Sequence, residues 1–209
     1  MLLVACGKEK TPSVQTTSVR GDTLAKRTLL IVGTSLTAGL GLDPDEAWPA
    51  LIQEKIDSAR LPYRVVNAGL SGETSAGALR RVDWLLRGPV DVLVLETGAN
   101  DGLRGLDPDT LRANLEAILA KVHAERPAAK LALIQMEAPP NLGAEYTKRF
   151  HAVYAEAARA ESATLLPFLL DSVAGRPALN QADGMHPNVA GSRIAARTEW
   201  RAIEPLLLR

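Results

Sequence analysis

Near the C-terminal end, in QADGMHPN (residues 181–188), Asp183 and His186 stand three residues apart, with Gly184 between them and Pro187 just after. Asp-Gly and His-Pro are good turn signals, so a polar surface turn is the plain reading. The chemical reading is a carboxylate that orients an imidazole as a general base. Such a base needs a nucleophile to serve, and Ser35 in GTSLTAGLG is the candidate, two residues past the Gly33 that ends an apolar run. A serine between a strand and a helix serves equally as an N-cap. Gly72 in NAGLSGETSAG and Asn100 in TGAND have two readings as well. Each is either part of a site or local backbone chemistry, a glycine for an unusual conformation and an Asn-Asp-Gly turn. Asp183 and His186 also have the chemistry of metal ligands. His123 and His151, however, fall on predicted helices away from this rim, and no further ligand cluster accompanies the pair, so no metal is expected.

What brings these positions together is the order of the elements. Five apolar runs read as strands: Thr28–Gly33, Tyr63–Ala68, Asp91–Thr97, Lys130–Met136 and Ala163–Phe168. Helical patterns follow them at about Asp45–Ala59, Glu73–Leu86, Pro108–Glu125, Glu145–Glu161 and Val189–Leu207. Strands apolar at nearly every residue belong in a sheet covered on both faces, and the alternating order implies parallel pairing. The expected architecture is a three-layer α/β/α sandwich with a five-stranded parallel sheet, flavodoxin-like in layout. In such sheets the site lies outside the carboxyl ends of the strands. Ser35, Gly72 and Asn100 follow strands one, two and three, and Asp183 and His186 precede the last helix. Topology therefore delivers all five to one rim.

Composition sets limits on partners. The chain has 209 residues, 46% of them hydrophobic and 23% charged, enough for one domain with a substantial core. Twenty-four basic residues balance twenty-four acidic ones, so no global field recruits nucleic acid. No apolar run reaches the ~18 to 20 residues that span a bilayer. No internal repeat is seen.

The single cysteine, Cys6, forms no internal disulfide and belongs to no CxxC pair. In MLLVACGKEK it follows Leu3, Val4 and Ala5, a run that resembles a bacterial lipobox, although the apolar stretch is short and lacks a basic n-region. Residues 7–26, rich in Thr, Ser and Lys, read as a tether. Residues 1–26 are accordingly expected to be a lipoprotein-type signal remnant and flexible tether, and residues 27–209 a catalytic domain. That reading implies a periplasmic or cell-surface protein anchored to the membrane through a lipidated Cys6.

The blocks GTSL, GLSGETS, GAND and DGMHPN, in this order and spacing, resemble the SGNH hydrolases, the serine esterase superfamily with Ser, Gly, Asn and His in four separate blocks. The similarity is closest to the thioesterase I, lysophospholipase L1 and arylesterase branch. It extends to AWPAL, SGETS, GANDGLRG and LLPF, and covers roughly residue 27 to the C-terminus. One departure is Thr34, which stands where the family usually has Asp before the serine, so that carboxylate's contribution is expected to be absent. The resemblance implies Ser35 as nucleophile, His186 as base and Asp183 as its orienting partner. It implies an oxyanion hole of the Ser35 and Gly72 backbone N–H groups and the Asn100 side-chain amide. It requires no cofactor.

The loops SGETSAGALR and MEAPPNLGAEY are expected to wall the acyl site, with Leu70, Leu103, Pro139, Leu142 and Met185 as apolar lining. Such a surface suits a small-molecule acyl or aryl ester, a thioester or a lysophospholipid. No protein partner is implied. Two other readings remain: a phosphate- or flavin-binding module using GTSLTAG at a helix start, and a catalytically dead scaffold. The first lacks both the P-loop and the GxGxxG pattern, and it leaves Asp183 and His186 without a role.

Overall fold

A computed structural model describes residues 26–208 of the chain; Cys6 and the tether expected at residues 1–26, up to residue 25, lie outside them. Five strands, β1 (Arg27–Gly33), β2 (Tyr63–Gly69), β3 (Val92–Leu95), β4 (Lys130–Gln135) and β5 (Thr164–Phe168), form one parallel sheet in the order β2-β1-β3-β4-β5. The helices are α1 (Ser35–Ala38), α2 (Trp48–Ser58), α3 (Ser75–Leu85), α4 (Ala99–Leu103), α5 (Pro108–Glu125), α6 (Ala144–Ala160) and α7 (Val189–Leu207).

Strand order and handedness fix the layers. From β1 the chain steps one way to β2, then crosses back over β1 to β3 and continues in the opposite direction. Right-handed crossovers then put α2 on one face and α3, α5 and α6 on the other. The packing agrees, since α3 lies against α5 and α5 against α6, while α7 returns to pack on α2. Residues Leu29 to Val32 of β1 and all four residues of β3 are buried, as the apolar runs require.

The strands and long helices lie where the apolar patterns place them, with shifts at their ends. The third strand is shorter than Asp91–Thr97. Asp91 instead turns its carboxylate to the Thr28 N–H at 2.7 Å, and Glu96 turns its own into the β1 side of the rim. The second helix starts at Trp48 rather than near Asp45, with a proline in its first turn. Two α-helices are new. Helices α1 and α4 have only four and five residues, too short to show a period of 3.6. Asn100-Asp101-Gly102 therefore lies within a short helix and is not the free turn that its composition suggests.

One group in the core is not matched to its surroundings. Glu199 of α7 is fully buried, and neither carboxylate oxygen meets a hydrogen-bond partner among the described residues. Burial pushes its carboxyl from 4.5 up to about 8, and the negative charge of Glu96 adds to the shift. A folded-state value above the unfolded one means that the native protein holds the proton more tightly. The contribution of this carboxyl to stability is therefore fully present below pH 4.5 and is lost as the pH rises through about 8. Glu199→Met removes the carboxyl while keeping the volume. Its melting temperature at pH 9 is expected to exceed that of the wild type by roughly 3 to 9 °C, from about 1–3 kcal/mol, and the gap should narrow at pH 5. Thermal denaturation at the two pH values checks this, and a gap that widens toward pH 5 would contradict it.

Candidate active site

The rim at the carboxyl ends of β1 and β3 is where the chain reverses its direction across the sheet, the position at which such folds open a crevice. Ser35 is the first residue of α1, two residues past the end of β1, so its N–H is one of the unpaired donors of a helix start. Gly33 and Gly69 are partners in the β1–β2 register, and the Leu70 N–H bonds to the Gly33 carbonyl at 2.8 Å. The two loops that leave these strands therefore start side by side.

Histidine 186 arrives from the loop before α7. Its Nε2 lies 2.9 Å from Ser35 Oγ, and its Nδ1 lies 2.6 Å from Asp183 Oδ2. The other Asp183 oxygen accepts the backbone N–H groups of Met185 at 2.9 Å and His186 at 3.0 Å. Those hydrogen bonds, with His186 contributing most, hold the Asp183 carboxyl down at about 2. An ionised carboxylate only accepts, so His186 Nδ1 carries the proton. In the neutral ring Nε2 is then the acceptor for the Ser35 hydroxyl. The loop is fastened at both ends. Asn188 caps α7 by accepting the Gly191 N–H, and Gln181 Nε2 donates to the Leu40 carbonyl just past α1.

Gly72 and Asn100 line the same cleft as Ser35 and His186. Gly72 has φ +77°, a left-handed conformation that explains a glycine there, while the space around it is open. The 72–75 loop is held from α4 at three points. Asn100 Nδ2 donates to the Glu73 carbonyl at 2.9 Å, and Asp101 accepts the Ser75 N–H at 2.9 Å and its hydroxyl at 2.6 Å. Arg104 donates to the Gly72 carbonyl at 2.9 Å. Asn100 has two amide hydrogens, so one remains for the cleft. Arg81 adds a fourth restraint, since its guanidinium grips both Glu73 oxygens and the Ala68 carbonyl.

The cleft has a volume of about 650 Å³. Leu103, Pro139 and Met185 line it as expected, together with Met136 and Phe168; Leu70 and Leu142 do not. Leu70 is exposed on the outside of its loop, and Leu142 ends a 3₁₀ turn at Pro140–Leu142. His151 is nearer the rim than its helix position suggests. Its Nδ1 lies 2.7 Å from Oε1 of Glu137, which lines the cleft.

Thr34 has a carboxylate neighbour from elsewhere in the chain. No carboxylate stands at that position in the chain, but one reaches it from the residue that follows β3. Glu96, fully buried, accepts the Thr34 N–H at 2.8 Å, the Thr34 hydroxyl at 3.0 and 3.1 Å, and the Thr37 hydroxyl at 2.8 Å. Burial raises the Glu96 carboxyl to about 7, opposed by those hydrogen bonds. The sequence signal was available: a glutamate directly after the apolar run VLVL in DVLVLET.

A model of the GDSL-like Lipase/Acylhydrolase family matches residues 31–194. Among curated proteins, Esterase TesA of Pseudomonas aeruginosa is 43% identical over 184 residues, covering 88% of this chain and 90% of that protein. Thioesterase 1/protease 1/lysophospholipase L1 of Escherichia coli K12 is 40% identical over 185 residues, with coverage of 88% and 86%. The crystal structure of the psychrotrophic esterase EstA from Pseudoalteromonas, inhibited by monoethylphosphonate, superposes with a TM-score of 0.82 at 36% identity, over 88% of this chain and all of that one. The chain belongs to the GDSL-like lipase/acylhydrolase family, that is, the SGNH hydrolases. It is a carboxylic ester hydrolase. The phosphate- or flavin-binding alternative is not favoured.

Two glycines of the site answer to different constraints, and substitution separates them. A Cβ on Gly33 would lie 2.1 Å from Thr37 Oγ1 and 2.6 Å from Glu96 Oε2, whereas one on Gly72 meets only backbone strain. Gly33→Ala is expected to cost at least the upper end of about 1–3 kcal/mol, and Gly72→Ala about 1–2 kcal/mol. Urea denaturation of the two variants tests the order; a Gly33→Ala protein more stable than Gly72→Ala would refute it.

Proposed function

We propose that the chain cleaves acyl or aryl carboxylic esters through a covalent acyl-enzyme, with Ser35 as nucleophile, His186 as general base and Asp183 as its orienting carboxylate. The observation that carries this is the continuous chain of contacts from Ser35 Oγ to His186 Nε2 at 2.9 Å and from His186 Nδ1 to Asp183 Oδ2 at 2.6 Å, at the wall of an apolar cleft.

Ser35 Oγ attacks the ester carbonyl carbon while its proton passes to His186 Nε2. The carbonyl oxygen becomes an oxyanion met by the Ser35 and Gly72 backbone N–H groups and the remaining Asn100 amide hydrogen. Asp183, ionised over the whole working range of pH, stabilises the imidazolium that forms. Collapse of the tetrahedral species breaks the bond to the leaving group, which takes the proton from His186. A water activated by the same nitrogen then attacks the acyl carbon and releases the acid and free Ser35.

The apolar side chains of Leu103, Pro139, Met185, Met136 and Phe168 suit an acyl chain or an aryl group. The names of the relatives from P. aeruginosa and E. coli support esters, thioesters and lysophospholipids as the substrate classes. We further propose that a lipidated Cys6 holds the catalytic domain at the periplasmic or cell-surface side of a bacterial membrane. No helix among the described residues is long and apolar enough to cross one.

Ser35→Ala is expected to abolish hydrolysis of p-nitrophenyl esters with the fold intact, and a fluorophosphonate probe should label the wild type at Ser35. Labelling at another serine would refute the assignment. Asn100→Ala should lower kcat by about 10²- to 10³-fold with KM little altered, because its contribution appears as the oxygen gains charge. A stable Asn100→Ala enzyme with unchanged kcat would remove Asn100 from the mechanism. For the anchor, the full chain expressed in a bacterium should partition with membranes and Cys6→Ala should not; equal partitioning of the two would refute it.

A further inference from the structure

On the reading that Ser35 is the nucleophile, we propose that Glu96 is a positioning residue for it. Its buried carboxylate grips the chain on both sides of Ser35 and so sets the direction of the serine's hydroxyl and backbone N–H.

The bonds straddle the nucleophile. Glu96 Oε2 accepts the Thr34 N–H at 2.8 Å and the Thr37 hydroxyl at 2.8 Å, one residue before Ser35 and two after it. The Thr34 hydroxyl donates to the same carboxylate at 3.0 and 3.1 Å, which leaves its lone pair to accept the Leu36 N–H at 3.4 Å as the cap of α1. A four-residue helix cannot hold its own shape, because nucleation fixes several dihedrals for very few hydrogen bonds. The geometry around Ser35 must therefore be imposed from outside, and among the described side chains Glu96 makes the largest set of contacts to residues 34–37. Those contacts come from the residue that follows β3, and the Glu96 N–H is itself bonded to the Val32 carbonyl of β1 at 2.8 Å. The nucleophile's turn is thus tied to the most buried part of the sheet by backbone and side chain together.

Gly33 is the companion feature. A Cβ there would lie 2.6 Å from Glu96 Oε2 and 2.1 Å from Thr37 Oγ1, so the glycine admits the carboxylate into the turn. The fold bears an unfavourable burial to keep it there. Glu96 has no exposed surface, and its neighbours Glu199 on α7 and Tyr154 on α6 feel its charge and offer it no positive partner. A residue retained only for stability would be better replaced by an apolar one.

Three variants test this: Glu96→Gln, Thr34→Val and Thr34→Ser. They are measured well below their melting temperatures for kcat and KM on p-nitrophenyl butyrate, for fluorophosphonate labelling of Ser35, and for Tm. Glu96→Gln keeps the volume and relieves a buried charge, so its Tm should equal or exceed that of the wild type. Its kcat and labelling rate should nevertheless fall about 10- to 100-fold with KM within about twofold. Thr34→Val should lose kcat in the same way, and Thr34→Ser, which keeps the hydroxyl, should restore it to within about threefold of wild type. Unchanged kcat in Glu96→Gln would overturn the proposal, as would losses of kcat that only follow the unfolded fraction. If the wild type is labelled at a serine other than Ser35, the underlying reading has failed. Normal labelling of Ser35 in all three variants defeats the role of Glu96 alone.

Discussion

Strand β1 is hydrogen-bonded on both sides, to β2 and to β3, and buried on both faces, and the rest of the site depends on that confinement. A strand held this way has no freedom at its carboxyl end except to leave the sheet as a tight turn. Because the connections from β1 and from the adjacent β3 run to opposite faces of the sheet, the loops leaving these two strands diverge and open a crevice between them. Ser35 lines that crevice together with Gly72 and Asn100, whose loop and helix are bonded to each other. His186 is brought over it from the far end of the chain by α7, which packs back against α2.

The rim is then stiffened by polar groups that have been denied water. Buried carboxylates must find donors, and here they find them on neighbouring segments of the rim. Asp101 takes the N–H and hydroxyl of Ser75, Glu73 takes the Arg81 guanidinium, and Glu96 takes three donors around Ser35. Each bond fixes a loop that has little apolar surface of its own. Glu199 shows the contrast, since it is buried close enough to feel Glu96 but meets no donor. The first three carboxylates each brace part of the rim; Glu199 braces nothing visible in the structure.

The same division of labour appears in the cleft. Asp183, lying near the surface, is kept ionised by the N–H groups of its own turn and by His186, not by a cation. The walls opposite are apolar, and several of their leucine and methionine side chains, Leu40, Leu103 and Met185 among them, are about half exposed at the mouth. A reacting carbonyl would meet polar groups at Ser35, His186, Gly72 and Asn100, while, Ser71 and Glu137 apart, the remaining lining is mostly hydrocarbon.

Apolar runs and their alternation with helical patterns determined the fold class, the number of strands and their parallel pairing, because burial on both faces writes itself directly into consecutive residues. The spacing in DGMHPN determined that one loop carries both Asp183 and His186, a local matter of three residues. The blocks around Ser35, Gly72 and Asn100 were found through their resemblance to a family. Only the tertiary structure decided that Glu96 takes up the space beside Thr34, that Arg104 and Asp101 hold the Gly72 loop, and that Leu70 and Leu142 do not line the cleft. Those outcomes depend on contacts between residues 26 to 62 positions apart, and on which way a loop side chain turns. No period or motif encodes such contacts. They arise because the packed sheet leaves one place for each loop and buried charge then selects the partner within reach.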